Sequence, residues 1–146
     1  MSNLSSFSRA QSLGLLARAP AERLAALFPE AAAHTVLRGP ETGAVMVRGR
    51  QGGTGAPFNL GEMTVTRCSV RLACGTDGHA YVQGRDKAHA RRAAVLDALL
   101  QTAEAARLTA GVLAPLAAEE TARRATRAAK AAATKVEFFT LVRGED

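Results

Sequence analysis

Two stretches of this sequence gather side chains able to do chemistry. The first reads Gln83, Gly84, Arg85, Asp86, Lys87, with His89, Arg91 and Arg92 in the turns that follow. An apolar strand pattern precedes it and a helical pattern follows, so its basic side chains collect where a helix begins. A helix N-terminus offers unpaired N–H groups and about half a positive charge, a seat for phosphate, carboxylate or a partner's acidic side chain. The second stretch is Arg48, Gly49, Arg50, Gln51, Gly52, Gly53, Thr54 and Gly55. Its glycines could wrap an anion while the two arginines supply charge. It lacks the Lys and Ser/Thr pair of a Walker loop, however, and does not fit GxGxxG.

Each stretch has a plainer reading beside the chemical one. The first could be a capped helix with a solvated basic first turn. Cations there oppose the helix dipole at about 0.3 to 1 kcal/mol each, so their clustering favours a bound anion. The second could be a flexible connection between strands, and the residues leave that open against an anion or partner contact. Catalysis by His89 finds no nucleophile or second base beside it. No Ser-His-Asp set, carboxylate pair or metal-ligand spacing stands out, so no catalytic residue, metal or cofactor of this chain alone is assigned. Arg123, Arg127 and Lys130 follow one helix face and read as a solvated stripe. His34 and His79 stand alone at expected turns.

The elements that must position these groups come from periodicity. Ala10, Leu13, Leu16 and Ala17, then Leu24, Leu27 and Phe28, predict two short helices joined at Ala19 and Pro20, with Pro20 in the first turn of the second. Residues 35–38 and 44–48 predict a hairpin turning through 39–43, followed by a mobile loop or ligand cradle over 49–61. Residues 62–74 predict the longest strand. Met63 and Val65 fall out of phase with Cys68, Val70, Leu72 and Cys74, which calls for a bulge near Thr66 or Arg67, or helices on both faces. A turn at 75–78 then pairs Cys74 with His79, Leu72 with Tyr81 and Val70 with Gln83.

Asp86 is the expected N-cap of a helix reaching about Arg107, with Arg92, Leu96, Leu99, Leu100 and Ala103 inside, Val95 beside them and Asp97 outside. His89 lies where that apolar stripe runs out. Residues 116–134 form an Ala-rich helix with Glu119 and Arg123, and Glu120 and Arg124, spaced to pair. Val136, Phe138, Phe139, Leu141 and Val142 close the chain as an apolar tail, adding a strand or docking on another subunit. The expectation is one α+β domain over residues 1–146, with an antiparallel sheet of about four to five strands and helices packed on it.

The 146 residues carry nineteen Lys and Arg against thirteen Asp and Glu, a formal charge of +6. Anionic partners are favoured, but no basic block, finger spacing or aromatic run suits nucleic acid. With 47% hydrophobic but 4% aromatic residues, the core must be mostly aliphatic. Cys68 and Cys74 on one strand lie roughly 20 Å apart, too far to bridge, and read as two small buried hydrophobes in a reducing cytoplasm. No stretch reads as a signal peptide or a membrane span.

An ordered set of segments resembles the PhnG family, a subunit of the bacterial carbon-phosphorus lyase system. It comprises Glu41, Thr42, Gly43 through the Gly52, Gly53, Thr54, Gly55 loop, Thr66, Arg67 to Leu72, Val82 through Lys87 with His89 and Ala90, Leu96 to Leu99, and Phe138 to Gly144. The resemblance implies a non-autonomous subunit of the transferase complex alpha-D-ribose 1-methylphosphonate 5-triphosphate synthase. In that family the subunit works with PhnH, PhnI and PhnL proteins to replace adenine of ATP by a phosphonate, and it belongs to a core complex with PhnH, PhnI and PhnJ. The resemblance also makes Phe138, Phe139, Leu141 and Arg143 interface candidates, and it implies an isolated chain that is marginal in stability or self-associating. The alternative from the residues alone is an independent basic module binding nucleotides or nucleic acid.

Overall fold

The computed structural model describes residues 7–29 and 32–136. Ser8 caps the first helix, α1 (Arg9–Arg18), its hydroxyl accepting from Gln11 N–H while the Gln11 side chain accepts from Ser8 N–H. This reciprocal pair satisfies two of the donors that every helix start leaves open. Helix α2 (Ala21–Leu27) follows, with Pro20 at its N-cap, one position ahead of the first turn predicted for it.

Three antiparallel strands, β1 (His34–Arg50), β2 (Pro57–Leu72) and β3 (Asp77–Gln83), pair in the order β1-β2-β3. The count falls short of four to five because the hairpin expected over 35–48 is one continuous strand. Gly39 and Pro40 do not turn the chain. The register against β2 slips between Val36 and Arg38 and between Arg38 and Glu41, so the extra residues bulge out of β1. An edge strand tolerates this, because the N–H that proline lacks has no neighbour to meet. The expected 49–61 loop is likewise mostly strand. Arg50 pairs with Pro57, and only residues 51–56 turn.

β2 carries no bulge at Thr66 or Arg67; its own slip falls between Val47 and Arg48 of the partner strand, around Leu60. Thr66, Cys68, Val70 and Leu72 face the helices and are buried. Val65 points the other way and is 7% exposed, lying in a shallow hollow with Glu41, Val45, Arg67 and Tyr81. The phase change thus marks a shielded spot on the open face, not a kink.

The β2-β3 register also differs from expectation, with Val70 opposite Gly78, Ser69 opposite His79 and Arg67 opposite Tyr81. The turn sits at 73–75, earlier than predicted, where Gly75 adopts φ +89 and donates to the Leu72 carbonyl. A three-residue turn ending in a left-handed glycine fixes that register. Consequently Cys74 is exposed in the turn, Cys68 alone of the pair is buried, and His79 lies within β3.

Helix α3 (Lys87–Leu99) lies on the sheet, and every residue from Ala93 to Ala98 is buried. It stops eight residues before the predicted end at Arg107, where the Thr102 hydroxyl takes the Leu99 carbonyl at 2.6 Å. Asp97, expected outside, is 1% exposed because α1 covers that side of the helix. It accepts two hydrogen bonds from Arg9 (3.0 and 2.8 Å) and one from His79 N–H (2.9 Å), tying α1, β3 and α3 together. After α4 (Ala105–Leu108) comes a π turn, Thr109–Leu113, then α5 (Ala114–Ala133). Pro115 has no N–H for the Gly111 carbonyl, and the widened turn absorbs that loss.

Leu16, Leu24, Leu96, Leu108, Leu113 and Leu116 join Val70, Val82 and Val95 in one aliphatic core on the helix side. The opposite sheet face carries no helix among the described residues. It shows exposed pairs instead: Arg67 with Glu41 at 2.9 Å, Arg71 with Asp77 at 2.6 Å, and Ser69 Oγ with His79 Nδ1 at 2.9 Å.

Candidate functional site

The junction between β3 and α3 is built as the sequence suggests at its centre. Gly84 turns the chain at φ +88, its N–H donating to Thr64 and its carbonyl accepting from the buried Thr66 hydroxyl at 2.8 Å. Asp86 caps α3, accepting from His89 N–H at 2.9 Å. With the cap satisfied inside the chain, the cations are left to face outward. Lys87, Ala88, Arg91 and Arg92 line a groove of about 440 Å³ closed on its far side by Gly39 and Pro40. None of Lys87, Arg91 and Arg92 has an acidic partner among the described residues, and neither has Arg85.

His89 does not belong to this groove. It is 3% exposed, and its Nε2–H donates to the Leu16 carbonyl at 2.8 Å, joining α3 to the end of α1. The second stretch lies elsewhere too. Arg48 and Arg50 sit at the far end of β1, and Gly52, Gly53, Thr54 and Gly55 form the tip. Within that tip Arg50 donates to the Gly55 carbonyl at 3.2 Å and Gly55 N–H to Gln51 O at 2.8 Å. Eight strand residues separate the tip from Thr64 beside the junction, roughly 25 Å. The two stretches therefore cannot grip one small ligand.

Residues 43–50 and 57–64 instead make an arm, since β3 pairs only with residues 65–71 of β2. Residues 56–62 are all exposed, among them Phe58 and Leu60, with Met46 exposed across the ribbon. A lone two-stranded ribbon is marginal in water, so such an arm is suited to being covered by another surface. Sequence reasoning missed the arm because its glycines and Pro57 read as loop. It also missed Gly39 and Pro40 as the groove's far wall and Thr66 as the pin of the junction, both being products of strand pairing.

The candidates Phe138, Phe139, Leu141 and Arg143 lie outside the described residues. Among the described residues no group of His, Cys, Asp and Glu could hold a metal ion. No helix there is long and apolar enough to cross a membrane. Burial pushes the Cys68 thiol up from its ordinary value, while the Thr76 hydroxyl beside Cys74 lowers that one.

The family described as phosphonate metabolism protein PhnG matches residues 7–144. A protein of Rhizobium meliloti (strain 1021), named alpha-D-ribose 1-methylphosphonate 5-triphosphate synthase subunit PhnG, is 47% identical over 144 residues, taking in 94% of this chain and 90% of that protein. The chain belongs to the PhnG family. The resemblance read from the sequence is thereby borne out. In this PhnG-family chain the sheet face that no described helix covers, the arm and the open groove suit a subunit, and no self-contained catalytic set appears among the described residues.

Proposed function

We propose that this chain is a subunit of a ribose 1-methylphosphonate 5-triphosphate synthase, working in a complex that replaces the adenine of ATP with a phosphonate. The observation that carries the reading is the 47% identity, along nearly the whole of both chains, to a protein named as that subunit. In this reading ATP and the alkylphosphonate are substrates of the complex, PhnH, PhnI, PhnJ and PhnL proteins are its partners, and the cytoplasm is its compartment. Arg85, Lys87, Arg91 and Arg92 form one wall of an anion site completed by another subunit, with Asp86 holding the helix start that carries them. The arm with Arg48 and Arg50 is a docking element.

The test reconstitutes the complex with and without this chain and follows methylphosphonate-dependent release of adenine from ATP. Turnover should need the chain and should fall with Arg85→Ala combined with Lys87→Ala, whose exposed positions leave the fold intact. Turnover that proceeds equally without the chain would defeat the subunit reading. Full turnover with the double variant would remove the junction from the site.

A further inference from the structure

A second basic hollow, of about 310 Å³, lies between the end of α1, the end of β3 and the middle of α5, lined by Arg18, Gln83, Glu120, Arg123, Arg124 and Arg127. Four guanidiniums face one carboxylate there. Glu120 accepts from Arg18 at 2.8 Å and from Arg124 at 2.8 Å, so it holds two of them in place. Arg123 and Arg127 have no acidic partner among the described residues. They stand four apart on α5, where like charges repel, and Arg124 adds a third cation within one turn. The stripe that reads as solvated along α5 is, on this side, one wall of a concave site. Arg18, brought in from 102 residues away, makes the other, which no spacing rule could reveal.

We propose that this hollow binds the triphosphate of a nucleotide or ribose triphosphate. Arg123 and Arg127 are its main anion contacts, Arg18 and Arg124 are oriented by Glu120, and the Gln83 amide donates from the strand end. Guanidinium forks match phosphate oxygens in pairs, and several converging on one hollow suit a chain of phosphates better than a single carboxylate. The volume sits at the low end of ligand sites, about 300 to 1,000 Å³, which fits a phosphate chain and leaves sugar and base outside. The choice of triphosphate rests on the synthase reading above.

The experiment titrates inorganic tripolyphosphate into the full-length chain and into the assembled complex by calorimetry. It also measures kcat and KM for ATP in methylphosphonate-dependent turnover. Arg123→Ala with Arg127→Ala should raise both the tripolyphosphate dissociation constant and the KM about tenfold or more, with kcat unchanged. Arg123→Lys with Arg127→Lys should restore only part of the affinity, because an ammonium lacks the fork. Unchanged tripolyphosphate affinity in the alanine variant overturns the proposal. Loss of a partner subunit from the complex with tripolyphosphate affinity intact also overturns it and makes the hollow a protein contact. A wild-type complex inert towards methylphosphonate would defeat the synthase reading, and the tripolyphosphate titration would then judge the hollow by itself.

Discussion

Replacing Gly78 with alanine measures how closely α3 sits on the sheet. A Cβ at this position in β3 would overlap the Ala94 carbonyl oxygen and lie 2.7 Å from the Ala98 Cβ and 2.7 Å from its backbone nitrogen. Ordinary contact begins at 3.4 Å, so the helix must retreat along this stretch. No rotamer change relieves the clash, because the blocking atoms are backbone or the first carbon of a side chain. Residues 93–98 of α3 are all buried, so a retreat loosens Leu96 and Val95 as well. Overpacking costs about 1 to 3 kcal/mol where side chains can yield, and this case belongs at about 3 kcal/mol or above. For a chain of this size that lowers the melting temperature by roughly 6 to 12 °C. Gly43 on β1 is the control, with nothing within 4 Å of an added Cβ and no positive φ. The assay is thermal unfolding of the two full-length variants followed by circular dichroism. If Gly78→Ala melts within about 2 °C of Gly43→Ala, the close contact of strand and helix is not as described.

Two further outcomes follow from the ion pairs. Arg9→Ala leaves the Asp97 carboxylate, 1% exposed, with only the His79 N–H among the described residues, and should cost about 2 to 3 kcal/mol in denaturant titration, water reaching the half-exposed Arg9 side accounting for the discount. A loss no larger than that of Arg67→Ala, from the exposed pair with Glu41, would contradict the account. The hydrogen bond from Arg18 holds the Glu120 carboxyl below its ordinary value; burial opposes it, and Arg124 adds to the lowering. A depressed folded value stabilises above the unfolded value of about 4.3 and is lost as pH falls through the lower folded one. The melting gap between the parent chain and Glu120→Gln should be full at pH 7 and close below about pH 4, and a gap constant with pH would refute the pairing.

Local signals carried the helices and the junction. Asp86 followed by a basic turn and an apolar stripe defines the start of α3 within the residues themselves, and Pro20 separates α1 from α2 without outside help. What escaped reading depends on neighbours far along the chain. Gly39 and Pro40 look like a turn until an edge position makes their missing bonds harmless. The register of β3 depended on which glycine of 75 and 78 turns, and the packing of Ala94 and Ala98 on Gly78 leaves the turn to Gly75. His89 and Asp97 were judged by their place on the helical stripe of α3, yet α1 encloses both, and its contacts with β3 and α3 cannot be read from spacing. The candidate site divided in the same way. Arg85, Asp86 and Lys87 stay together at the start of α3, while His89 turns into the core and the glycine stretch lies at the tip of the arm.

The arm beyond β3 separates two kinds of constraint on this sequence. Residues 56–62 are exposed throughout, so changes at Phe58 or Leu60 cost the folded chain little of its own cohesion. A screen that scores only how much protein accumulates would pass them as silent, and a screen that scores growth on a phosphonate would not. If the arm docks as proposed, its sequence would drift in step with the surface that covers it, independently of the aliphatic core that holds up the rest of the molecule.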